Sequence, residues 1–436
     1  MSSSGTSTAR ASGASKPANR RRSSSVTKAL NQIPLNQVEN AGSHPAAKGA
    51  HSGLSSTSEV QPLSGKPRPA KRKAELPDIY RSKGFWDDLK SGRWMLVPAS
   101  AFKLMIVPFI LYANHELLIH FGLLAPGTFN LWAHLILPQN KLSDGRYGKS
   151  WWDFVFVANY IILWSFIRQS VTIHILRPMS KSLGISRGKV MRFTEQGYTV
   201  FYMAMAGSCG VYVMYDLPTW WFKTEFFWRN YPIQGMPLRL KVYYLMQAAY
   251  WAQQTIILAA KIEKPRKDYK ELVAHHMVTL WLIGWSYNVY LTYIGVCVFV
   301  TMDISDVFLA LAKCVNYVSE DASPPIFAIF VVVWTYFRHY LNLWILWSVY
   351  YEFEPEHRMY FRPLEDVWLA PWMQWQIFAP ILLLQCINLF WYFLIWRILI
   401  RALMKNPLAD ERSEDEDEDP LEVEGEATTL EKTQAE

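Results

Sequence analysis

The chain has 436 residues, a formal net charge of +7, 51% hydrophobic residues and 15% aromatic residues. A mean hydropathy of +0.02 would suit a soluble protein, but this average hides two polar ends around a very apolar middle. The 20 Trp lie in that middle, as in membrane proteins with aromatic belts at both lipid interfaces. This pattern argues against a soluble enzyme, and the basic balance then reflects membrane topology, so that no nucleic-acid partner is expected.

Residues 1–78 predict a disordered cytosolic tail. They carry 12 Lys and Arg against 4 Asp and Glu, are rich in Ser and Ala, and have almost no aromatic residues, so they cannot bury enough apolar surface to offset the entropy of ordering. No apolar stretch follows the basic residues, which excludes a signal peptide. Ser23, Ser24 and Ser25 follow three arginines. They are candidate phosphorylation sites for a basic-directed kinase, or part of a solvated basic tail.

Eight apolar stretches then predict membrane spans, because about 20 apolar residues cross roughly 30 Å of hydrocarbon as a helix. The first is interrupted by Lys103, His115 and Glu116, and a short turn near Thr292–Tyr293 separates the fifth from the sixth. The stretches cover residues 95–123, 153–176, 194–215, 239–260, 273–291, 294–312, 324–350 and 372–403. The chain is therefore predicted to be an all-α polytopic membrane protein with about eight transmembrane helices.

Lys and Arg in the loops predict the orientation of these spans. The loop after the second span, residues 177–192, has five basic residues and no acidic one, and the loop after the fourth, residues 261–270, is also basic. Since positively charged loops stay cytosolic, the even-numbered loops and both termini are predicted to be cytosolic.

The last segment, residues 406–436, carries 13 acidic and 2 basic residues and predicts a disordered acidic tail. Its Ser413 precedes a run of acids and is a candidate for acid-directed kinases.

Two histidines and two aspartates lie at membrane depth, where ionisable groups are costly and usually functional. His275 and His276 open the fifth span, and Asp303 and Asp306 lie in the neighbouring sixth, one helical turn apart. An aspartate beside a histidine fixes its tautomer, and such a histidine acts as a general base or a nucleophile. The four residues are therefore candidate catalytic residues.

Two other interpretations of these four side chains stay open. They fit a structural hydrogen-bond cluster between helices, and two His with two Asp also fit a single Zn²⁺ or Fe²⁺. The remaining histidines are scattered rather than grouped in HxxHH clusters, which argues against a membrane di-iron hydroxylase. Neither a metal nor a cofactor is expected. The four cysteines lack CxxC spacing and are interpreted as packing residues.

Residues 274–317 resemble the Lag motif of ceramide synthases, the longevity-assurance family of TLC-domain proteins. The resemblance extends upstream to the RFTEQGY sequence at 192–198 and covers about residues 187–405. Two positions depart from common family patterns. Many animal members have His at the position of Met302, whereas fungal members commonly have Met there. Tyr293 stands where a basic residue is frequent. The matching motif residues are His275, His276, Thr279, Ser286, Tyr287, Gly295, Asp303, Asp306, Ala312, Lys313, Asn316 and Tyr317.

This resemblance implies an endoplasmic reticulum enzyme that joins a sphingoid base to the acyl group of an acyl-CoA, which is a co-substrate and not a cofactor. It implies six helices bundled around an acyl tunnel, with Ser286, Tyr287, Lys313 and Asn316 as candidate substrate-binding residues. It also implies dimers, with itself or with a related synthase, and a small single-span accessory subunit.

The rival interpretation is a non-catalytic TLC-domain factor, associated with the translocon or sensing lipids. The expected segments are a basic tail 1–78, two helices within 79–186, a TLC domain 187–405 and an acidic tail 406–436.

Overall fold

The computed structural model describes residues 80–229, 231–260, 269–319, 322–353, 361–365 and 370–403. Most of these residues are α-helical, and within these ranges no β-strand forms: Tyr147 makes only isolated bridges to Lys141 and Met236. The chain is an all-α membrane protein, which confirms the predicted fold class. The tails at 1–78 and 406–436 lie outside the described residues, as do the candidate phosphorylation sites Ser23, Ser24, Ser25 and Ser413.

The described residues form eight long helices, which follow the eight predicted spans in order. Two short helices, α1 (Phe85–Lys90) and α3 (Leu131–Ile136), lie before and after the first of them. Helices α4 and α9 each contain a π-helical stretch, Thr172–Leu176 and Thr335–Leu341. The long helices are α2 (Pro98–His120), α4 (Trp152–Ser182), α5 (Arg187–Tyr215), α6 (Leu238–Ala259), α7 (Tyr269–Asn288), α8 (Thr292–Val318), α9 (Ser323–Tyr351) and α10 (Met373–Leu403).

Five of these helices, α2, α4, α8, α9 and α10, are long and apolar enough to cross a membrane. The other three are also long enough, since even the 20 residues of α7 extend about 30 Å. Their composition is less apolar because they bury polar side chains inside the protein, such as Gln196 on α5, Gln247 on α6 and His275 on α7. The protein is thus a multi-pass membrane protein, and the number of eight spans stays a prediction.

Helix α8 is the centre of the packing. It lies along α5 and α9 and also contacts α7, while α10 packs against both α7 and α9. Helix α6 packs against α5 and α7, so that α5 to α10 form one bundle. Helices α4 and α2 lie outside it, α4 against α6 and α2 against α4. Helix α2 leaves apolar side chains such as Phe102, Ile110 and Leu117 exposed, as expected for a helix surrounded by lipid.

The turn between α7 and α8 comes three residues earlier than predicted. Helix α7 ends at Asn288, and α8 begins at Thr292, so the predicted turn residues Thr292 and Tyr293 belong to a helix. Tyr290 adopts a left-handed conformation with φ of 60°, which reverses the chain. Hydropathy misses this turn because its residues are apolar and buried: Val289, Tyr290 and Leu291.

Candidate active site

The two adjacent histidines lie in the second turn of α7 and are buried, with 3% and 1% of their surfaces exposed for His275 and His276. His276 Nδ1 lies 2.9 Å from the Leu272 carbonyl oxygen. Because a carbonyl only accepts, Nδ1 carries the hydrogen in this contact, and the lone pair of the neutral ring lies on Nε2. His275 Nε2 lies 3.3 Å from the Thr279 hydroxyl. Its Nδ1 has no partner among the described residues.

Two tryptophans from other helices lie against these imidazoles. The Trp251 ring, on α6, has its centroid 5.8 Å from that of His275 and 5.9 Å from that of His276. The Trp391 ring, on α10, lies 5.5 Å from His275. The histidine pair is therefore enclosed by α6, α7 and α10, away from bulk water.

The two aspartates of α8 are buried but bind different neighbours. Asp303 accepts a hydrogen bond of 2.6 Å from Gln247 Nε2 on α6, and its Oδ1 has no partner among the described residues. The Gln247 amide is itself oriented, since its oxygen accepts from the Tyr202 hydroxyl at 2.9 Å. Asp306 forms an ion pair of 2.6 Å with Arg338, in the π-helical part of α9. The two carboxylates thus bind partners on two different helices, α6 and α9.

The expected hydrogen bonds between carboxylates and imidazoles are absent among the described residues. The spacing of Asp303 and Asp306 by three residues puts them about 60° apart around α8, which is enough for different helices to supply their partners. Sequence reasoning missed both partners. Arg338 carried a detectable signal, since it is a charged residue inside a predicted span. The neutral amide Gln247 carried none.

Arg338 binds several groups besides Asp306. Its Nε donates to the Ser305 hydroxyl at 2.6 Å, and one terminal nitrogen donates to Asn388 Oδ1 at 3.0 Å. Its guanidinium also lies 4.2 Å from the centre of the Trp334 ring. These contacts join α8, α9 and α10 at one buried cation, which fixes their relative positions.

An apolar cavity lies between α6, α7, α8 and α10. Along α7 its lining extends from His275 to Ser286, which corresponds to about 16 Å of helix. Among the described residues no Lys, Arg, Asp or Glu contributes to the lining, and of the four candidate catalytic residues only His275 does. The remaining lining is mostly aliphatic and aromatic, as in Leu282, Ile283, Val298, Phe299, Ile381 and Leu384.

Hydroxyl groups lie at the end of the cavity remote from His275. Ser286, a candidate substrate-binding residue, hydrogen-bonds the Tyr244 hydroxyl, and both residues line the cavity. Tyr287 does not line it. Its hydroxyl donates to Asp153 on α4 at 2.7 Å, and Asp153 forms a buried ion pair of 2.8 Å with Lys241 on α6. Tyr287 therefore belongs to a polar cluster that joins α4, α6 and α7.

The other two candidate substrate-binding residues, Lys313 and Asn316, are not part of the cavity. They lie on α8 ten and thirteen residues beyond Asp303, or roughly 15 and 20 Å along the axis. Both are buried at that end of the helix. Most of the basic loop at 261–270 lies outside the described residues.

A metal site is not formed by the four candidate residues. Asp303 is bound to Gln247 and Asp306 to Arg338, and the histidines stand apart from both. In the part of the chain that the structure describes, no three His, Cys, Asp or Glu side chains come close enough together to bind one ion. The four cysteines, also described, are all free, and only Cys297 is fully buried.

Comparison with known proteins gives the family of this bundle. A TLC-domain family model matches residues 192–397, which includes α7 and α8 with their histidines and aspartates. Sphingosine N-acyltransferase lac1 of Schizosaccharomyces pombe is 41% identical, over 73% of this chain and 82% of its own. Ceramide synthase LAG1 of Saccharomyces cerevisiae is 41% identical over 67% and 72% of the two chains. Sphingosine N-acyltransferase-like protein FUM17 of Gibberella moniliformis is 36% identical over 74% and 82%.

These relatives match most of the chain, and at 36% to 41% identity they belong to the same protein family as this chain. Their names describe acyltransferases rather than non-catalytic factors. The chain therefore belongs to the fungal ceramide synthase family of TLC-domain membrane acyltransferases.

Proposed function

We propose that this protein is a ceramide synthase that transfers a long or very long fatty acyl group from acyl-CoA to the amine of a sphingoid base. The observation that carries the proposal is the position of His275 at one end of an apolar cavity in a member of this family. The amine attacks the thioester carbonyl, a C–N bond forms and the C–S bond breaks. The products are a ceramide and CoA.

The cavity suits the hydrocarbon tail of the acyl group. Its lining of about 16 Å from His275 to Ser286 matches half of a hydrocarbon core of about 30 Å, which is the depth that one lipid tail fills. A tail placed along α7 would bring the thioester carbonyl to His275.

We assign His275 to the reacting carbonyl because it lines the cavity and its Nδ1 has no partner among the described residues. The imidazole acts in one of two ways. As a general base it takes the proton of the attacking amine; as a nucleophile it first accepts the acyl group and then passes it to the amine. His276, held by the Leu272 carbonyl, packs beside it on Trp251 and is assigned a supporting role.

Asp303 and Asp306 are assigned positioning roles, not contact with substrate. Asp303 ties α8 to Gln247 on α6, and Asp306 ties α8 to Arg338 on α9. These links hold α8 in the rotation that presents Gly295, Phe299 and Met302 to the cavity. A carboxylate lost from either link would therefore disturb the cavity wall opposite His275.

The membrane arrangement follows from the same proposal. His275 lies near the N-terminal end of α7, which the basic segment 261–270 leads into. Lys313 lies near the C-terminal end of the next helix, α8, and so on the same side of the bundle. Positive charge at that end favours approach of the polyanionic CoA from the cytosol, with both termini cytosolic and the protein in the endoplasmic reticulum. Dimers and a single-span accessory subunit stay predictions from the family resemblance, as do the boundaries of the four segments.

The test is ceramide formation by purified protein with a panel of acyl-CoAs and two sphingoid bases. We expect ceramide from the wild type and none from His275→Ala, His276→Ala or Asp303→Ala at equal protein levels. His174→Ala is the matched control, since His174 also lies in a long helix but is exposed; it should retain activity. A parallel assay with chelator tests metal dependence. Full activity of the double histidine variant would contradict the assignment.

A further inference from the structure

Two indole N–H groups beside His275 are buried without a hydrogen-bond acceptor among the described residues. They belong to Trp251 and Trp391, which are 3% and 2% exposed. An indole N–H only donates, and leaving a buried donor unpaired is costly. Other buried tryptophans satisfy this group: Trp164 donates to the Met246 carbonyl at 3.1 Å, and Trp228 donates to the Ser348 hydroxyl at 3.0 Å.

The position of the two unpaired donors points to a catalytic use. Their rings lie 5.8 and 5.5 Å from the His275 imidazole and come from different helices, α6 and α10. Trp251 also lines the cavity. Another unpaired indole, that of Trp334, lies instead over the Arg338 guanidinium on α9. Trp251 and Trp391, by contrast, both pack against the His275 ring.

Acyl transfer at this position requires hydrogen-bond donors. Attack on the thioester carbonyl moves its π electrons onto oxygen, and the resulting oxyanion is most effectively stabilised by preorganised donors in a dry site. No Lys or Arg lines the cavity, so its described wall provides no cation for this charge. The hydroxyl of Thr279 is already engaged with His275 Nε2 at 3.3 Å.

We propose that the Nε1–H groups of Trp251 and Trp391 form the oxyanion hole of this acyltransferase. The inference rests on the acyl transfer at His275 proposed above. When the nucleophile adds to the carbonyl carbon, the two indoles donate to the oxyanion. When the C=O bond forms again, the C–S bond breaks, and CoA leaves with the electron pair and takes up a proton.

This role holds for either function of His275. If the imidazole accepts the acyl group, the oxyanion forms twice, once on acylation and once when the amine attacks. If the imidazole only takes the amine proton, the oxyanion forms once. In both cases the carbonyl oxygen lies one C–O bond from the carbon under attack, beside the His275 ring. Trp251 lines the cavity at this point, and Trp391 packs against the same imidazole from α10.

The test removes the N–H groups and keeps the rings. Trp251→Phe and Trp391→Phe should each lower kcat by about 10²–10³ with the KM for acyl-CoA unchanged, the loss typical of one oxyanion-hole donor. A benzothienyl analogue of tryptophan, introduced at position 251 by nonsense suppression, replaces only the N–H by sulfur. It should lower kcat as far as Trp251→Phe does.

Trp164→Phe is the matched control, because it also deletes a buried indole N–H but lies against Tyr202 and Tyr250 in the core. We expect it to keep the wild-type kcat. Full kcat in both Trp251→Phe and Trp391→Phe would overturn the inference. A benzothienyl variant as active as the wild type, beside an inactive Trp251→Phe, would also overturn it, since ring shape would then be the requirement. A wild type that makes no ceramide would instead refute the proposed function on which the inference rests.

Discussion

Replacing Arg338 by Met should destabilise the protein far more than removing an exposed charge. Arg338 is 1% exposed and pairs with Asp306 at 2.6 Å, while also donating to Ser305 and Asn388. The variant leaves the Asp306 carboxylate buried without its cation. Breaking a buried pair from one side typically costs about 3–5 kcal/mol, which corresponds to a fall of roughly 6–20 °C in apparent Tm.

The double variant Arg338→Met with Asp306→Leu separates the pair from its surroundings. Because both charges are removed, the desolvation cost of the lone carboxylate disappears, and apolar replacement of a buried pair is often neutral. We expect the double variant to recover most of the lost Tm, although Asn388 loses a donor. If Asp306 only positions α8, ceramide synthesis should recover with it.

Thermal unfolding in detergent and ceramide synthesis are measured on the same preparations. Arg239→Met is the control: Arg239 forms an ion pair with Asp216, but both side chains are exposed, so its removal should leave the apparent Tm nearly unchanged. A double variant as unstable as Arg338→Met would refute the reasoning about the buried pair. A stable but inactive double variant would show that Asp306 has a chemical role beyond positioning.

Three further predictions concern the cavity and the cluster beyond it. Gly295→Ala should reduce ceramide synthesis from the longest acyl-CoAs first, because the new Cβ would overlap the Tyr244 hydroxyl and push that ring into the cavity; product analysis by mass spectrometry checks this. Ile283→Phe fills the cavity about 12 Å along α7 from His275 and should shift relative kcat/KM toward shorter acyl-CoAs by roughly tenfold or more. Lys241→Met should lower the apparent Tm by leaving the buried Asp153 carboxylate without its cation, at a cost of about 3–5 kcal/mol.

The sequence was sufficient to predict the helices but not all of their ends. Long apolar runs can only be helices in a membrane, because every backbone group must be bonded within its own segment. All eight runs are helical in the described structure. The end of α7 could not be predicted by hydropathy, since the reversal at Tyr290 uses apolar buried residues.

The candidate site was predictable in its residue types and less so in its contacts. Histidines and aspartates in apolar spans are visible in any sequence because they are costly there. Their partners depend on the rotation and tilt of the helices, which periodicity does not determine. Trp251 and Trp391 are even harder to find, since nothing distinguishes them in sequence from the other 18 of 20 tryptophans. Only an unpaired N–H beside an imidazole sets them apart.

The arrangement of α8 explains why one motif contains both the histidines and the aspartates. Met302 lines the cavity, whereas Asp303, the next residue, turns to Gln247 on α6. Asp306 lies one turn further along and binds Arg338 on α9. The helix therefore has two buried carboxylate links to its neighbours, next to the face that lines the cavity. Under the proposed function, His275 would supply the reactive group from α7 and the aspartates would set the wall that it faces, so the two halves of the motif would depend on each other without touching.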